Sequence, residues 1–549
     1  MGTSASKKKG GELNEGVYCS KPDSGAAEDV VEVTVCREDD LENGEMKVYE
    51  LGQQGSVLLV KEDGTFSALG TKCTHYNAPL IKGVLSNGKI RCPWHGACFN
   101  SKTGDIEDFP GLDSLPCYRV RVDGGEVKVS ASSHEVGKNK RVKPTSKRTV
   151  DDKRTFIVIG GGGAGQTCVE TLRQEGFTGR LILISKEPNR PYDRPKLSKA
   201  LSAKAEDLAL RSPDYYQSAD IELWLNREVT SIETEKRLLT CSDGTSIQYD
   251  AIMIATGGRP RTLDNVDLKN IHYLRSVEDA NVIAEKSRKK NVVILGTSFI
   301  GMEVAAYLAD KANSISIIGS STVPFLNVLG EDIGKGLQKL LEEHEIKFYN
   351  GNGIVEFVGN KGILTEVVLK TGEHIPADIC VIGIGVLPST EFLENTNIKL
   401  NSSKQIIVDE YMKTNVDGIF AGGDIVEFPL TVMDARVNIG HWQLAMAHGR
   451  CAALNMLNKN EKLLTVPFFW SMLFGKSVRY AGYGGKFDEI VMHGDAYKLQ
   501  FVAYYIREGK VVAVASMNND PIAAKFASLL LSGKTLTKDN IECSSEEWP

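Results

Sequence analysis

Apolar and polar positions change rhythm along the chain. From about Val30 to residue 130 they fall into short stretches, "VEVTVC", "MKVYEL", "SVLLVK" and "FSALG", each closed by Gly, Asp or Asn. A period of two over a few residues, bounded by turn formers, predicts short strands, so residues 30–130 read as a small all-β module. Beyond residue 154 the pattern becomes a buried strand, a Gly-rich turn and a helix, "TFIVIGGGGAGQTCVETLRQEGF", and the same phrase returns as "NVVILGTSFIGMEVAAYLA". Strands alternating with helical patterns predict parallel sheets built from βαβ units. Between the two regions, residues 131–153 are polar, basic and interrupted by Pro, which predicts an exposed linker.

Composition narrows the class without changing this picture. With 42% hydrophobic and 25% charged residues and a formal net charge of -6, the 549-residue chain is an ordinary globular protein of several domains. Its mildly acidic balance gives no footprint for nucleic acid, and no apolar run reaches the roughly 18 residues of a membrane span. Eleven Cys over this length, with no secretory leader, do not form a disulfide framework and suit a reducing, intracellular compartment. Residues 1–29 read as a disordered tail whose start, "MGTSASKKK", matches the N-myristoylation pattern at Gly2. A single acyl chain binds membranes weakly, and Lys7, Lys8 and Lys9 would supply the second contribution at an anionic surface. A cytoplasmic location with peripheral membrane contact is the expectation, and the mitochondrion is the alternative.

The two glycine turns carry chemistry. In Gly160-x-Gly162-x-x-Gly165 the glycines permit a tight turn, close approach of the backbone to a pyrophosphate and packing of helix on strand, while the helix N-terminus favours the anion. Gly296-x-Ser298-x-x-Gly301 repeats the phrase with a small Ser in the middle place. Two such turns predict two dinucleotides.

The β module holds Cys73-x-His75 and, after sixteen intervening residues, Cys92-x-x-His95, each in a loop with Gly or Pro. Two Cys and two His suit a structural zinc ion, but zinc usually takes Cys–Cys and His–His pairs, whereas each loop here gives one of each. A mixed pairing equally suits a [2Fe–2S] cluster with two thiolates on one iron and two imidazoles on the other. In these loops, and through "TGDIEDFPGLDSLP", the segment from about 35 to 130 resembles Rieske domains. Cys98 reads as buried packing rather than a further ligand.

"ATGGRP" (Ala255–Pro260), "TNVDGIFAGGDI" (Thr414–Ile425), "PYDRPKLSK" and "VPFFW" make residues 154–549 resemble the two-dinucleotide FAD/NAD(P)H reductases, the group of oxygenase-coupled ferredoxin reductases and apoptosis-inducing factor. With "CPWHGACFN" and "GKSVRYAGYG" the whole chain resembles the Rieske-containing apoptosis-inducing factor 3 family. That resemblance implies a multidomain fold: a Rieske [2Fe–2S] domain over 30–130, a linker over 131–153, and two α/β Rossmann-type domains. The NAD(P)H domain (276–399) is inserted between the parts of the FAD domain (154–275 and 400–462), and an α+β reductase domain closes the chain (463–549).

The resemblance also implies roles. Asp424 binds the FAD ribityl chain, with Arg194, Lys199, Thr256 and Gly257 around the cofactor; Lys199 and Glu303 meet beside the flavin, and Phe299 lies against the nicotinamide–flavin stack. His441 and Trp442 occupy the segment that closes over the flavin. Departures from the pattern matter. Lys186 stands where relatives carry the acid that ends the second FAD-domain strand, leaving Glu187 as provisional ribose ligand. Gly319 in "SISIIGSSTVP" stands where an NADH enzyme would have Glu, and no Arg is offered for a 2′-phosphate, so NADH and NADPH are both open and a Glu introduced at Gly319 is expected to favour NADH. At the positions where high-potential Rieske proteins carry bridging Cys and hydroxyls, this chain has Ala78, Trp94, Ala97 and Phe99.

The implied function is an electron path from NAD(P)H through FAD to the cluster and on to an acceptor the sequence does not identify. A terminal oxygenase would need a mononuclear iron on two His and a carboxylate, for which no candidate set is evident. The alternative is a redox-sensing or pro-apoptotic protein that uses flavin and cluster structurally; a homodimer is open.

Overall fold

The computed structural model describes residues 30–53, 55–264, 266–543 and 548. The tail carrying Gly2 and Lys7–Lys9 lies outside them. Among the described residues no helix is long and apolar enough to cross a membrane. The described residues divide into two compact units, one lying within 1–93, 97–107 and 111–143, the other within 94–96, 108–110 and 144–549.

The first unit is the expected β module. Strands Val30–Arg37, Glu45–Glu50, Ser56–Glu62, Thr65–Leu69, Cys117–Asp123 and Glu126–Ser132 form a six-stranded antiparallel sheet. Alternation explains its core, since Val127, Val129 and Ala131 point inward with Val120 and Tyr118 of the neighbouring strand. Val57–Val60 depart from alternation and are all buried, as in a strand covered on both faces. Four short strands, Val84–Ser86, Lys89–Arg91, Cys98–Asn100 and Ile106–Asp108, form a second sheet.

Residues 131–153 are not simply a linker. Ser132 caps a short helix, Ser133–Gly137, through a capping box with Glu135, and Arg141 pairs with Asp105 at 2.6 Å. The polarity that suggested free chain belongs to a cap and to ion pairs. Cys117 takes part in a disulfide.

In the second unit the residues of interest ride on β1 (Thr155–Ile159), α1 (Gly163–Gln174), β2 (Asn291–Leu295), α2 (Phe299–Leu308), β3 (Ile419–Ala421), α3 (Trp442–Met456) and β4 (Phe468–Leu473). A parallel five-stranded sheet contains β1 near its middle and β3 at its edge. Strand β3 joins it only after a second five-stranded sheet built around β2 has intervened in sequence, which is the expected insertion. Strand β4 opens a five-stranded antiparallel sheet on which the helix Ile522–Leu531 packs, the α+β end of the chain.

Candidate functional site

The two Cys/His loops share one geometry. The Cys73 N–H donates to the Ala78 carbonyl and the Cys92 N–H to the Ala97 carbonyl, both at 2.8 Å, so each loop closes on the fifth residue after its Cys. The fourth residue is left-handed in both, Asn77 at φ 59° and Gly96 at φ 78°, a conformation that Asn and Gly adopt at least cost. Thr74 Oγ1 donates to the Asp113 carbonyl at 2.7 Å and anchors the first loop. Cys73 and Cys92 are buried within hydrogen-bond reach of each other, and the Cys92 thiol, then burial, pushes the Cys73 thiol well above its usual range. Two adjacent buried sulfurs are costly as thiolates unless a cation lies between them, so the donor set fits a metal centre. Among the described residues no three such side chains converge on one ion.

The first glycine turn forms a cradle. Gly160 has φ 112°, and a Cβ there would lie 2.1 Å from the Ala255 carbonyl oxygen; one at Gly165 would lie 1.9 Å from that of Gly160. Side chains at these two places are excluded by backbone. A Cβ at Gly162 would meet nothing within 4 Å, which leaves the N-terminus of α1 open to a phosphate-sized group. Trp442 covers the next residue, its ring 3.1 Å from a Cβ placed on Gly163. Past β3, the Gly423 N–H donates to Nδ1 of the fully buried His448 at 3.1 Å, which fixes the approach to Asp424. Asn438 Nδ2 donates to the Asp424 carbonyl at 2.9 Å.

A polar cluster flanks this cradle. Arg194 pairs with Glu187 at 2.6 Å, and the Tyr192 hydroxyl donates to the other Glu187 oxygen at 2.6 Å. Both Glu187 oxygens are therefore engaged by protein, which leaves a ribose hydroxyl to share them. The Arg275 guanidinium sits near Arg194, with Nη2 2.8 Å from a Cβ built on Gly257, and burial followed by the Arg194 charge lowers its pKa. Two neighbouring half-buried cations fit an anionic cofactor. Arg275 belongs to no motif in the sequence, and its only signal is its place beside Ser276, the cap of the helix Val277–Lys286. Thr256 Oγ1 donates to the Ser389 carbonyl at 2.7 Å, and Gly257 is left-handed at φ 66°.

Lys199 and Glu303 meet as expected. Lys199 Nζ lies 2.7 Å from Oε2 of Glu303, a carboxylate only 5% exposed on α2. Phe299, one turn earlier, packs against Phe325 with centroids 4.7 Å apart and against Phe469 of β4 at 5.0 Å. His441 precedes α3, with its ring 5.8 Å from that of Trp470. Burial, then the Lys199 charge, lowers its pKa to about 4, so the ring is neutral at pH 7. Its Nδ1 is buried without a protein partner, as expected of a group that faces a cofactor.

The second glycine turn repeats the first. A Cβ at Gly296 would lie 2.3 Å from the Gly383 carbonyl oxygen, and one at Gly301 would lie 2.4 Å from that of Gly296. Ser298 is exposed at the head of α2. Gly319 corrects the expectation for cofactor choice, because a Cβ there would sit 2.3 Å from Thr297 Cγ2. Glu cannot be tolerated at that position without displacing Thr297. Ser320 is exposed next to it and offers neither a carboxylate nor a cation. The wild-type ratio of kcat/KM for NADH and NADPH is therefore expected to stay below about a hundredfold, some 2.7 kcal/mol, and Ser320→Glu to move it toward NADH. A larger wild-type ratio in steady-state kinetics would contradict the neutral turn.

Comparison with known proteins agrees with this geometry. Residues 154–449 match the family described as pyridine nucleotide-disulphide oxidoreductase, residues 31–119 the Rieske [2Fe-2S] domain, and residues 468–544 the reductase C-terminal domain. The chain is 46% identical over 523 residues to apoptosis-inducing factor 3 of Homo sapiens, covering 94% of this chain and 86% of that protein. It is similar to the solved ferredoxin reductase for the CYP199A2 system of Rhodopseudomonas palustris, with TM-score 0.68, 28% identity, and 72% and 99% of the two chains covered. The reductase in the covalent putidaredoxin reductase–putidaredoxin complex matches with TM-score 0.67 and 27% identity over 70% of this chain and 94% of that one. FAD, NAD(P)H and a [2Fe–2S] cluster are the cofactors these matches imply.

Proposed function

The chain belongs to the pyridine nucleotide-disulphide oxidoreductase family, and from that premise we propose that it is a NAD(P)H reductase whose FAD serves the [2Fe–2S] cluster of its own N-terminal domain and, beyond it, an external electron acceptor. FAD accepts a hydride and releases electrons singly, and the cluster carries one at a time. The protein's part is to hold and orient. Gly160, Gly162 and Gly165 let the backbone approach the FAD pyrophosphate, Arg194 and Arg275 offset its charge, and Asp424 takes the ribityl hydroxyls. Gly296, Ser298 and Gly301 would receive the nicotinamide dinucleotide, and Phe299 would lie toward its reactive end. Cys73, His75, Cys92 and His95 are the cluster ligands of this reading.

The observation that carries it is the Lys199–Glu303 pair, its carboxylate buried, formed between the two dinucleotide units where a hydride would pass. A fixed ammonium there favours the negative charge of the reduced cofactor. The test is the optical spectrum of the purified full chain before and after anaerobic addition of NADH or NADPH. Flavin bleaching is expected, followed by loss of the cluster's visible bands without any mediator. A cluster that stays oxidised beside a bleached flavin would overturn the internal path.

A second reading is favoured by the name of the 46% identical relative, apoptosis-inducing factor 3. In it the chain is a pro-apoptotic or redox-sensing protein, and flavin and cluster hold the fold. Sustained turnover of NAD(P)H with an artificial acceptor, against a single slow reduction, separates the two. Membrane contact through a Gly2-linked acyl chain and Lys7–Lys9 belongs to either reading, with mass spectrometry of the N-terminal peptide as its check.

A further inference from the structure

Glu303 is held by more than Lys199. Its Oε2 accepts from Lys199 Nζ at 2.7 Å and from Ser198 Oγ at 2.5 Å, and its Oε1 accepts from Ser471 Oγ at 2.7 Å. The donors come from different parts of the chain: Ser198 and Lys199 from the loop after the helical turn Arg194–Lys196, and Ser471 from the middle of β4. Ser471 is 1% exposed and Ser198 7%, so neither hydroxyl is a surface group that meets the carboxylate by chance. A buried carboxylate oxygen left without a donor is costly, and on the Oε1 side Ser471 is the donor that supplies one.

We propose that Ser471 is a positioning residue for hydride transfer: the last domain of the chain reaches into the junction of the two dinucleotide units and locks Glu303, and through it the Lys199 ammonium, in place beside the flavin. The inference rests on the reductase reading above and deepens it. β4 also carries Phe469, packed on Phe299, so one strand fixes both the ring at the nicotinamide and the carboxylate behind the lysine. With Ser471 gone, Glu303 keeps two donors on one oxygen and none on the other; it turns, and the lysine follows. Reduced flavin then loses part of its counter-charge.

The experiment compares full-length holoprotein with Ser471→Ala, Ser471→Thr and Ser198→Ala by anaerobic rapid mixing with NADH and with NADPH, together with a flavin midpoint titration and FAD affinity from flavin fluorescence. Ser471→Ala is expected to slow flavin reduction about tenfold at saturating nicotinamide, with nicotinamide and FAD affinities within about twofold. Its midpoint should fall by the equivalent of up to tenfold in the reduction equilibrium, about 30 mV for a two-electron couple. Ser471→Thr keeps the hydroxyl and should recover the wild-type rate within about threefold. Ser198→Ala, which leaves Oε2 with the lysine, should cost less. Wild-type reduction rate and midpoint in Ser471→Ala, or failure of a folded, FAD-replete Ser471→Thr to recover, would overturn the proposal while leaving the reductase reading intact. If Ser471→Ala does not fold, Ser471→Gly, which also removes the hydroxyl, takes its place, and a wild-type reduction rate and midpoint in it would overturn the proposal. Wild-type flavin that neither nicotinamide bleaches would remove the reductase reading itself, and this inference with it.

Discussion

Lys199→Ala is expected to slow reduction of the flavin by NAD(P)H by about two orders of magnitude and to leave FAD bound. The size follows from what one well-aimed charge contributes in a water-poor site, typically a factor of about 10²–10³ in rate. The separation of rate from binding follows from the structure. Nζ of Lys199 bonds Glu303 and the Pro195 carbonyl, while of the groups proposed to hold the cofactor's phosphates and ribityl chain, Gly162, Arg275 and Asp424 lie on other segments and Arg194, in the turn just before, is paired with Glu187. After the substitution Glu303 still has the hydroxyls of Ser198 and Ser471, so the carboxylate is not stranded and the fold should persist. The Lys199 charge also helps keep His441 neutral, but burial comes first, so that ring stays uncharged at pH 7 in the variant. Glu303→Gln removes the charge and leaves one acceptor oxygen, so one of the two Ser hydroxyls must turn to accept from the new amide N–H; a smaller loss, about tenfold, is expected. Rapid mixing under anaerobic conditions reads both, and an unchanged hydride-transfer rate in Lys199→Ala would refute the role given to the pair.

What was legible in the sequence was dictated by contacts that any such turn must make. Gly160 and Gly165 have no alternative because backbone oxygens lie about 2 Å from where a Cβ would be, so the requirement is printed in the sequence as a spacing of glycines. The Cys and His loops are similar: the same five-residue closure demands the same pattern twice. What was not legible depends on residues brought together from far apart. Ser471 and Glu303 are 168 residues apart, and Ser is too common to mark such a meeting. Arg275 becomes informative only when Arg194 is seen beside it. Thr297 and Gly319 illustrate the limit from the other side. Gly319 looked open to Glu in the sequence, and only its contact with Thr297 shows that the end of that strand has no room for the acid that defines NADH enzymes. The helix at Ser133–Gly137 was within reach, since Ser132 and Glu135 have the spacing of a capping box, but five helical residues are outweighed by the surrounding polarity.

The cluster's midpoint potential is expected near the low end of the Rieske range, around -150 mV. Hydrogen bonds to cluster and ligand sulfur favour the reduced, more negative state, so their absence lowers the potential. At the positions that supply hydroxyls and a loop-bridging disulfide in high-potential Rieske proteins, this chain has Ala78, Trp94, Ala97 and Phe99. Ala78, Ala97 and Phe99 are at most 1% exposed, so water cannot stand in for the missing donors there. If each charge-assisted bond contributes about 1.5–3 kcal/mol, the lack of two lowers a one-electron couple by roughly 130–260 mV, at about 59 mV per tenfold. That places the cluster within downhill reach of a nicotinamide-reduced flavin, which is what an internal path requires. A titration of the full chain followed by the cluster's paramagnetic signal measures the midpoint directly. A value above about +100 mV, in the upper part of the range, would sink the low-potential assignment and point to a different class of acceptor. Ala97→Ser with Phe99→Tyr should then raise the potential toward the wild-type value of high-potential relatives. Ala97→Ser adds a single oxygen, and Phe99→Tyr keeps the ring that fills the fully buried position on the strand Cys98–Asn100. A double variant that folds, keeps its cluster and shows no rise would mean that solvent and net charge, not bonds to sulfur, set the potential of this centre.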